Sequence, residues 1–254
     1  MHVLVADDNQ TYAGLLQESL GRAGYRVGIV RSAAEAVETV RRVRPGLLLL
    51  DLYMPDGDGD VACRQLKADR ETSATPIVMM SAGGRKDEAQ RCLAAGCDEF
   101  LVKPIRHSEL LLAVSRHLHG RYKNVRVPVR IPVTLESAGS RWPAASANLS
   151  MGGMFIEMSR LFQPGTEMVL EFPLPGPPAP RQLLVRGKVA WVNRPEAKIK
   201  RDLPGGVGVE FTKLSAEHLS ALGMFVASWA EGTGAGAAPA EPPRPEPARP
   251  PALA

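Results

Sequence analysis

Cysteine is scarce in this chain of 254 residues, and long apolar runs are missing from it. The three cysteines are Cys63, Cys92 and Cys97; none forms a tight pair, and no histidine stands near them at zinc-ligand spacing. That excludes a disulfide scaffold and a structural zinc site. It leaves small buried thiols, as expected in a reducing compartment. No uncharged apolar stretch reaches spanning length, so no membrane helix and no membrane insertion are expected. The N-terminus passes from Met1 and His2 straight into a strand pattern, without a charged-then-apolar leader, and the expected location is the cytosol. Internal repeats are absent as well.

What is present is enough apolar residue, 44%, to build real cores. Charge is unevenly spread. Residues 1–120 carry 15 Lys/Arg against 16 Asp/Glu, whereas residues 121–254 carry 16 against 11. The basic half suits an anionic ligand, either nucleic acid or a small phosphate compound.

The first half is organised around Leu47-Leu48-Leu49-Leu50-Asp51-Leu52-Tyr53-Met54-Pro55-Asp56-Gly57-Asp58-Gly59. Four leucines in a row read as a strand buried on both faces. The strand ends on a carboxylate, followed by turn chemistry. Val3 to Ala6, Tyr25 to Val30, Pro76 to Met80 and Glu99 to Val102 are further strands. Helical spacing connects them: Leu15, Leu16 and Leu20; Ala33 to Val43; Val61, Cys63 and Leu66; Ala89, Leu93 and Ala94; and a last helix, capped by Ser108, running to Leu118. Five βα units in about 120 residues predict an α/β fold, a five-stranded doubly wound parallel sheet.

Loops at the carboxyl ends of such strands converge on one edge. The first polar residues after the apolar strands are Asp7-Asp8, Asp51, Ser81 and Lys103. Taken singly, each has a structural explanation; Asp8, for example, could simply cap a helix. Together they make one site. Three carboxylates repel one another unless a cation joins them, and an oxygen-only set of that charge suits Mg²⁺. A hydroxyl and an ammonium beside the metal would cradle a phosphoryl group, and Asp51 would be the nucleophile that accepts it.

These residues, with Met54-Pro55, Asp58-Gly59, Ser81-Ala82 and Phe100-Leu101-Val102-Lys103-Pro104, resemble the receiver domain of two-component response regulators over the whole of residues 1–120. The resemblance implies phosphotransfer from a sensor histidine kinase to Asp51. It implies Mg²⁺ held by Asp8 and Asp51, by Asp7 through water, and by the carbonyl of Tyr53. Ser81 and Phe100 would form the switch pair. Arg85 to Gly96 and Ser108 to His119 would be the output surface, and the receiver could also form a homodimer.

In the second half, Val127, Val129, Ile131, Val133 and Leu135 alternate without error, which predicts a half-buried strand over 125–135 with Pro128 and Pro132 on its outer face. Short strands follow around 142–149, 154–158, 167–172, 183–192 and 206–211, then a helix capped by Ser215. The pattern predicts a small antiparallel β-barrel with a C-terminal helix. Two features carry chemistry: the cations Arg121, Lys123, Arg126 and Arg130, and the turn Asn148-Leu149-Ser150-Met151-Gly152-Gly153. Guanidinium forks facing such a turn could grip phosphates and guanine edges.

Together these features resemble the PilZ domain over residues 121–230, whose motif is R-x-x-x-R followed by D/N-x-S-x-x-G. Asn148, Ser150 and Gly153 match the second motif. The resemblance implies cyclic di-GMP as ligand. The first motif departs from the pattern. Arg126 and Arg130 fall inside the alternating stretch, where an extended backbone separates their Cα atoms by roughly 13 Å. Four residues before Arg126 stands Tyr122, with Arg121 one place further back.

Residues 231–254 are rich in Gly, Ala and Pro and predict a disordered tail. The whole therefore reads as a phosphorylated regulator whose output is cyclic di-GMP binding and protein–protein contact. The alternative is a phosphorylation-controlled adaptor whose barrel binds a downstream protein target and not the nucleotide. The basic half offers no recognition helix for DNA and no acid–base pair for an enzyme beyond chemistry at Asp51.

Overall fold

The computed structural model describes residues 2–83, 86–176 and 179–232, with the Lys86 side chain excepted. Arg85, at the start of the expected output surface, and the tail beyond residue 232 lie outside the described residues. The chain divides into two compact units. The first comprises Met1–Asn124 together with Leu214–Ala227, and the second is built on Val125–Lys213.

In the first unit the order is β1 (Val3–Ala6), α1 (Gln10–Arg22), β2 (Val27–Val30), α2 (Ala33–Val43), β3 (Leu47–Asp51), β4 (Tyr53–Met54), β5 (Gly57–Asp58), α3 (Gly59–Ala68), β6 (Ile77–Ser81), α4 (Lys86–Ala94), β7 (Glu99–Val102) and α5 (His107–His119). Five strands form one parallel sheet in the order β2-β1-β3-β6-β7, and β4 and β5 make a small separate hairpin. The four leucines of β3 are all buried, and they alternate between two cores. Leu48 and Leu50 pack with α2 and α3 on one face, while Leu47 and Leu49 pack with α1 and α5 on the other. Removing four such side chains from water stabilises the central strand by roughly 1.5–3 kcal/mol each.

Capping residues start the helices where side-chain chemistry allows. Asn9 caps α1 by accepting from Tyr12 N, and Ser32 caps α2 by accepting from Glu35 N. Asp8 is therefore not the cap. The expected cap of α5 is corrected too. Arg106 stands at that position without a side-chain bond, and Ser108 lies within the first turn. Leu15, Val61 and Leu93, expected on buried helix faces, are exposed.

The second unit holds β8 (Pro132–Ser137), β9 (Ser140–Ser150), β10 (Gly153–Glu157), β11 (Glu167–Leu174), β12 (Arg181–Asn193) and β13 (Gly206–Lys213). These strands close into an antiparallel barrel in the order β10-β13-β12-β11-β8-β9. Its interior is lined by Leu135, Leu149, Met154, Leu170, Phe172, Val185, Val189 and Val209, with Phe172 stacked on Phe211.

The long strand expected over 125–135 forms only in its second half. Val127, Val129 and Ile131 are buried as the alternation requires. Pro128 offers no N–H, however, so a continuous ladder does not run through it, whereas Pro132 takes the first position of β8, where a missing N–H is tolerated. Instead Val127 makes an isolated bridge to Leu149, and the Ser146 hydroxyl links the Val129 carbonyl to the Ile131 N–H.

The last helix, α6 (Ala216–Ala230), starts where expected, with Ser215 Oγ accepting from His218 N. Most of it belongs to the first unit. Ala216 and Met224 pack against the α1–α5 core, Ser220 Oγ donates to the Tyr25 hydroxyl at 2.9 Å, and Ser115 Oγ donates to the Leu219 carbonyl.

Candidate functional site

The carboxyl ends of β1, β3, β6 and β7 bring the expected residues to one place. Among the described residues, oxygens of Asp7, Asp8 and Asp51 lie within 4.8 Å of one another. Asp7 is fully buried and Asp51 is 7% exposed, while Asp8 is open to solvent. Lys103 Nζ reaches Asp7 Oδ2 at 2.7 Å and Asp51 Oδ2 at 2.9 Å. The Tyr12 ring lies under the ammonium, 4.8 Å away. Sequence reasoning missed Tyr12, because an aromatic on a helix signals only a core face. The Asp7 carboxylate also accepts from Asn9 N, which ties it to the start of α1.

Burial pushes the Asp51 carboxyl above its ordinary range. The Lys103 hydrogen bond offsets this only partly, and the charge of Asp7 adds to the rise. For Lys103, burial works against the charged form, but hydrogen bonds to Asp7 and Asp51 outweigh it and hold the ammonium above its usual value. One buried cation therefore bridges two carboxylates and offsets their mutual repulsion. The donor set is all oxygen, with three acidic groups on one side, which fits a hard divalent cation such as Mg²⁺ that keeps several waters.

The loop after Asp51 is shaped by close approach. A Cβ on Gly59 would fall on the Asp51 carbonyl, and Gly59 N donates to the Leu52 carbonyl at 2.7 Å. Asp56 accepts from Ala33 N and Ala34 N at the start of α2, which anchors the loop. Tyr53 lies in β4 with its hydroxyl donating to Glu88. Ser81 is the last residue of β6, fully buried, and its hydroxyl also donates to Glu88. Phe100 is half-buried against the α2–α3 core and pairs with Met79 across β6 and β7. Glu88 was not visible in the sequence, where an acid in a first helical turn reads as ordinary end charge.

In the second unit the Val127–Leu149 bridge brings the exposed Arg126 beside the Asn148–Gly153 turn. Within that turn Ser150 Oγ donates to the Gly153 carbonyl at 3.0 Å. Gly153 has a packing reason to be glycine, since a Cβ there would fall on the Val209 carbonyl of β13. The Asn148 Oδ1 is buried without a hydrogen-bond partner among the described residues. That is an acceptor suited to a guanidinium or guanine N–H. Arg130 is exposed and ion-paired with Glu157 on β10. Arg121 belongs to the first unit, in the 3-10 turn Gly120–Tyr122, with its guanidinium 4.7 Å from the Tyr122 ring.

Comparison with known proteins divides the chain near the same junction, but assigns α6 with the second part. Residues 3–115 match the family model of the response regulator receiver domain, and residues 120–228 match that of the PilZ domain. Protein PetR of Rhodobacter capsulatus is 34% identical over 161 residues, 62% of this chain and 64% of that protein. The transcriptional regulatory protein ResD of Bacillus subtilis is 34% identical over 132 residues, 50% of this chain and 54% of that protein. The chain thus spans between half and two thirds of the curated relatives it matches. Among solved structures, the signal receiver domain of a histidine kinase from Syntrophus aciditrophicus is 32% identical, with a TM-score of 0.45, covering 47% of this chain and 90% of that one. The magnesium-bound receiver domain of a sensor histidine kinase from Pseudomonas aeruginosa is 29% identical, with a TM-score of 0.44, covering 46% and 96%. By its two family matches, the chain carries a response regulator receiver domain followed by a PilZ domain.

Proposed function

We propose that Asp51 accepts a phosphoryl group from a sensor histidine kinase, and that the PilZ domain binds cyclic di-GMP. The observation that carries the first part is Lys103, placed between Asp7 and Asp51 at 2.7 and 2.9 Å inside a cluster of three carboxylates. A carboxylate oxygen of Asp51 attacks phosphorus while the bond to the donor's leaving group breaks; no proton need leave the ionised Asp51. Lys103 stays with the phosphoryl oxygens and with Asp7, and the Ser81 hydroxyl gives them a hydrogen bond. Asp7, Asp8, Asp51 and the Tyr53 carbonyl would hold Mg²⁺, which when bound neutralises the charge gathering on the transferred group. Phe100 is the proposed partner of Ser81 in the switch.

The second part is supported by Arg126 beside the Asn148-Leu149-Ser150-Met151-Gly152-Gly153 turn and by the orphan acceptor of Asn148. Arg121 and Arg130 are proposed as further ligand contacts, with Arg130 exchanging Glu157 for a phosphate. Output would pass to a downstream protein through the surface of α4, β7 and α5, where Leu93, Val102 and Leu112 are exposed. The same surface would serve a homodimer.

Calorimetry with cyclic di-GMP tests the ligand. Binding by the full chain, weakened about tenfold or more in both Arg126→Ala and Asn148→Ala, is the expected outcome, as for loss of a hydrogen bond to a charged group. No heat at tens of micromolar ligand would turn the conclusion to an adaptor whose barrel meets protein alone.

A further inference from the structure

Glu88 stands in the first turn of α4, is only 3% exposed, and has a carboxylate whose two oxygens point at two different parts of the candidate site. Oε2 accepts from Ser81 Oγ at 2.6 Å, and Oε1 accepts from the Tyr53 hydroxyl at 3.2 Å. Ser81 ends β6, and Tyr53 lies two residues after Asp51. Gly83 N donates to the Ser81 hydroxyl oxygen at 3.2 Å. A serine hydroxyl has a single proton to give. While that proton is given to Glu88, it cannot be given to a phosphoryl group on Asp51.

Two neighbouring features strengthen the hold. Arg91, three residues on along α4 and so on the same face, ion-pairs with Asp58 of the hairpin and with the buried Asp60 of α3, the latter at 2.5 Å. The helix is thus tied at two successive points to the segment that follows Asp51. Gly83 gives the carboxylate its room, because an added Cβ there would fall inside contact distance of both Glu88 oxygens.

We infer that Glu88 is a positioning residue for phosphoryl transfer, a latch that holds the Ser81 hydroxyl and the Tyr53 ring in an arrangement that phosphorylation of Asp51 must break. The inference rests on Asp51 being the phosphoacceptor. A phosphoryl group brings close to two negative charges beside a buried carboxylate. Ser81 transfers its proton contact from Glu88 to the phosphoryl oxygens. Like-charge repulsion then turns the Glu88 side chain away, and the first turn of α4 goes with it. The latch therefore costs the phosphorylated form its full stability and links that form to movement on the proposed output surface. A two-state element of this kind responds to any change in the relative free energy of its two arrangements.

The test is calorimetric titration of the full chain with beryllofluoride in the presence of Mg²⁺, the adduct standing in for the phosphoryl group. Glu88→Gln keeps the shape and removes the charge. Gly83→Ala leaves Glu88 intact and pushes its carboxylate aside. Both are expected to bind beryllofluoride on the order of tenfold more tightly than the unchanged chain, as for release of a charge-assisted hydrogen bond. In a Ser81→Ala background the Glu88→Gln gain is expected to shrink, because the share carried by the Ser81–Glu88 hydrogen bond is already gone and only the like-charge share remains. Unchanged affinity in both single variants overturns the inference, as does a Glu88→Gln gain that survives intact in Ser81→Ala. Failure of the unchanged chain to bind beryllofluoride would be a different result. It would remove the phosphoacceptor role of Asp51, and the latch with it.

Discussion

Asp51 is held in an environment that disfavours its own charge, with burial as the largest cause and Lys103 as partial relief. A carboxyl whose folded pKa lies above its unfolded value lowers stability once the pH exceeds the folded value. The penalty disappears below the unfolded one. Asp51→Asn removes it, so the variant is expected to melt at a higher temperature than the unchanged chain near pH 7. The gap should close as pH falls through the ordinary carboxylate range, which thermal melts across that range would check. The acids and the lysine of this site were legible because each is the first polar residue after an apolar strand, a position where sheet topology leaves little freedom. Glu88 and Tyr12 were not legible. Their roles depend on which helix face meets the site, and neither residue type at those positions differs from an ordinary helical acid or core ring.

At the scale of elements, the four leucines of β3 were readable because a strand buried on both faces leaves no polar alternation, and the structure divides them between two cores. The stretch 125–135 shows the limit of the same logic. Its alternation correctly marks Val127, Val129 and Ile131 as buried, but burial alone does not make a ladder where Pro128 lacks the N–H group, and the ladder begins only at Pro132. Helix α6 shows a second limit. Its apolar face was plain, yet an apolar face does not say which surface it will cover, and most of α6 packs in the first unit, against the α1–α5 core. There Tyr25 is buried, with its phenol pushed up to about 12 by burial, against a smaller opposing effect from the hydroxyls of Ser220 and Ser115. Tyr25→Phe leaves the Ser220 hydroxyl without the Tyr25 oxygen and is expected to cost roughly 1–3 kcal/mol in denaturant unfolding. In the unchanged protein Tyr25 should ionise only at about pH 12 by ultraviolet absorbance, an absorbance step that Tyr25→Phe removes.

For the molecule as a whole, the chain passes three times between its two units, at Asn124–Val125, at Lys213–Leu214 and, within α6, at Ala227–Ser228. If phosphorylation alters cyclic di-GMP affinity, the nucleotide must alter affinity for the phosphoryl mimic by the same factor, since coupling between binding sites is reciprocal. Equal nucleotide affinity with and without beryllofluoride would show two independent inputs. The excess of positive charge in residues 121–254 predicts that nucleotide binding weakens as salt rises, because Arg126 is exposed and its attraction is screened. Calorimetry at low and high ionic strength would show it. All of this depends on Asp51 being where the input arrives. The most direct test is mass analysis of the full chain after incubation with acetyl phosphate and Mg²⁺. One phosphoryl group on the unchanged chain, located at Asp51 and absent from Asp51→Asn, is the result expected. Equal labelling of Asp51→Asn, or no labelling of either protein, would contradict it.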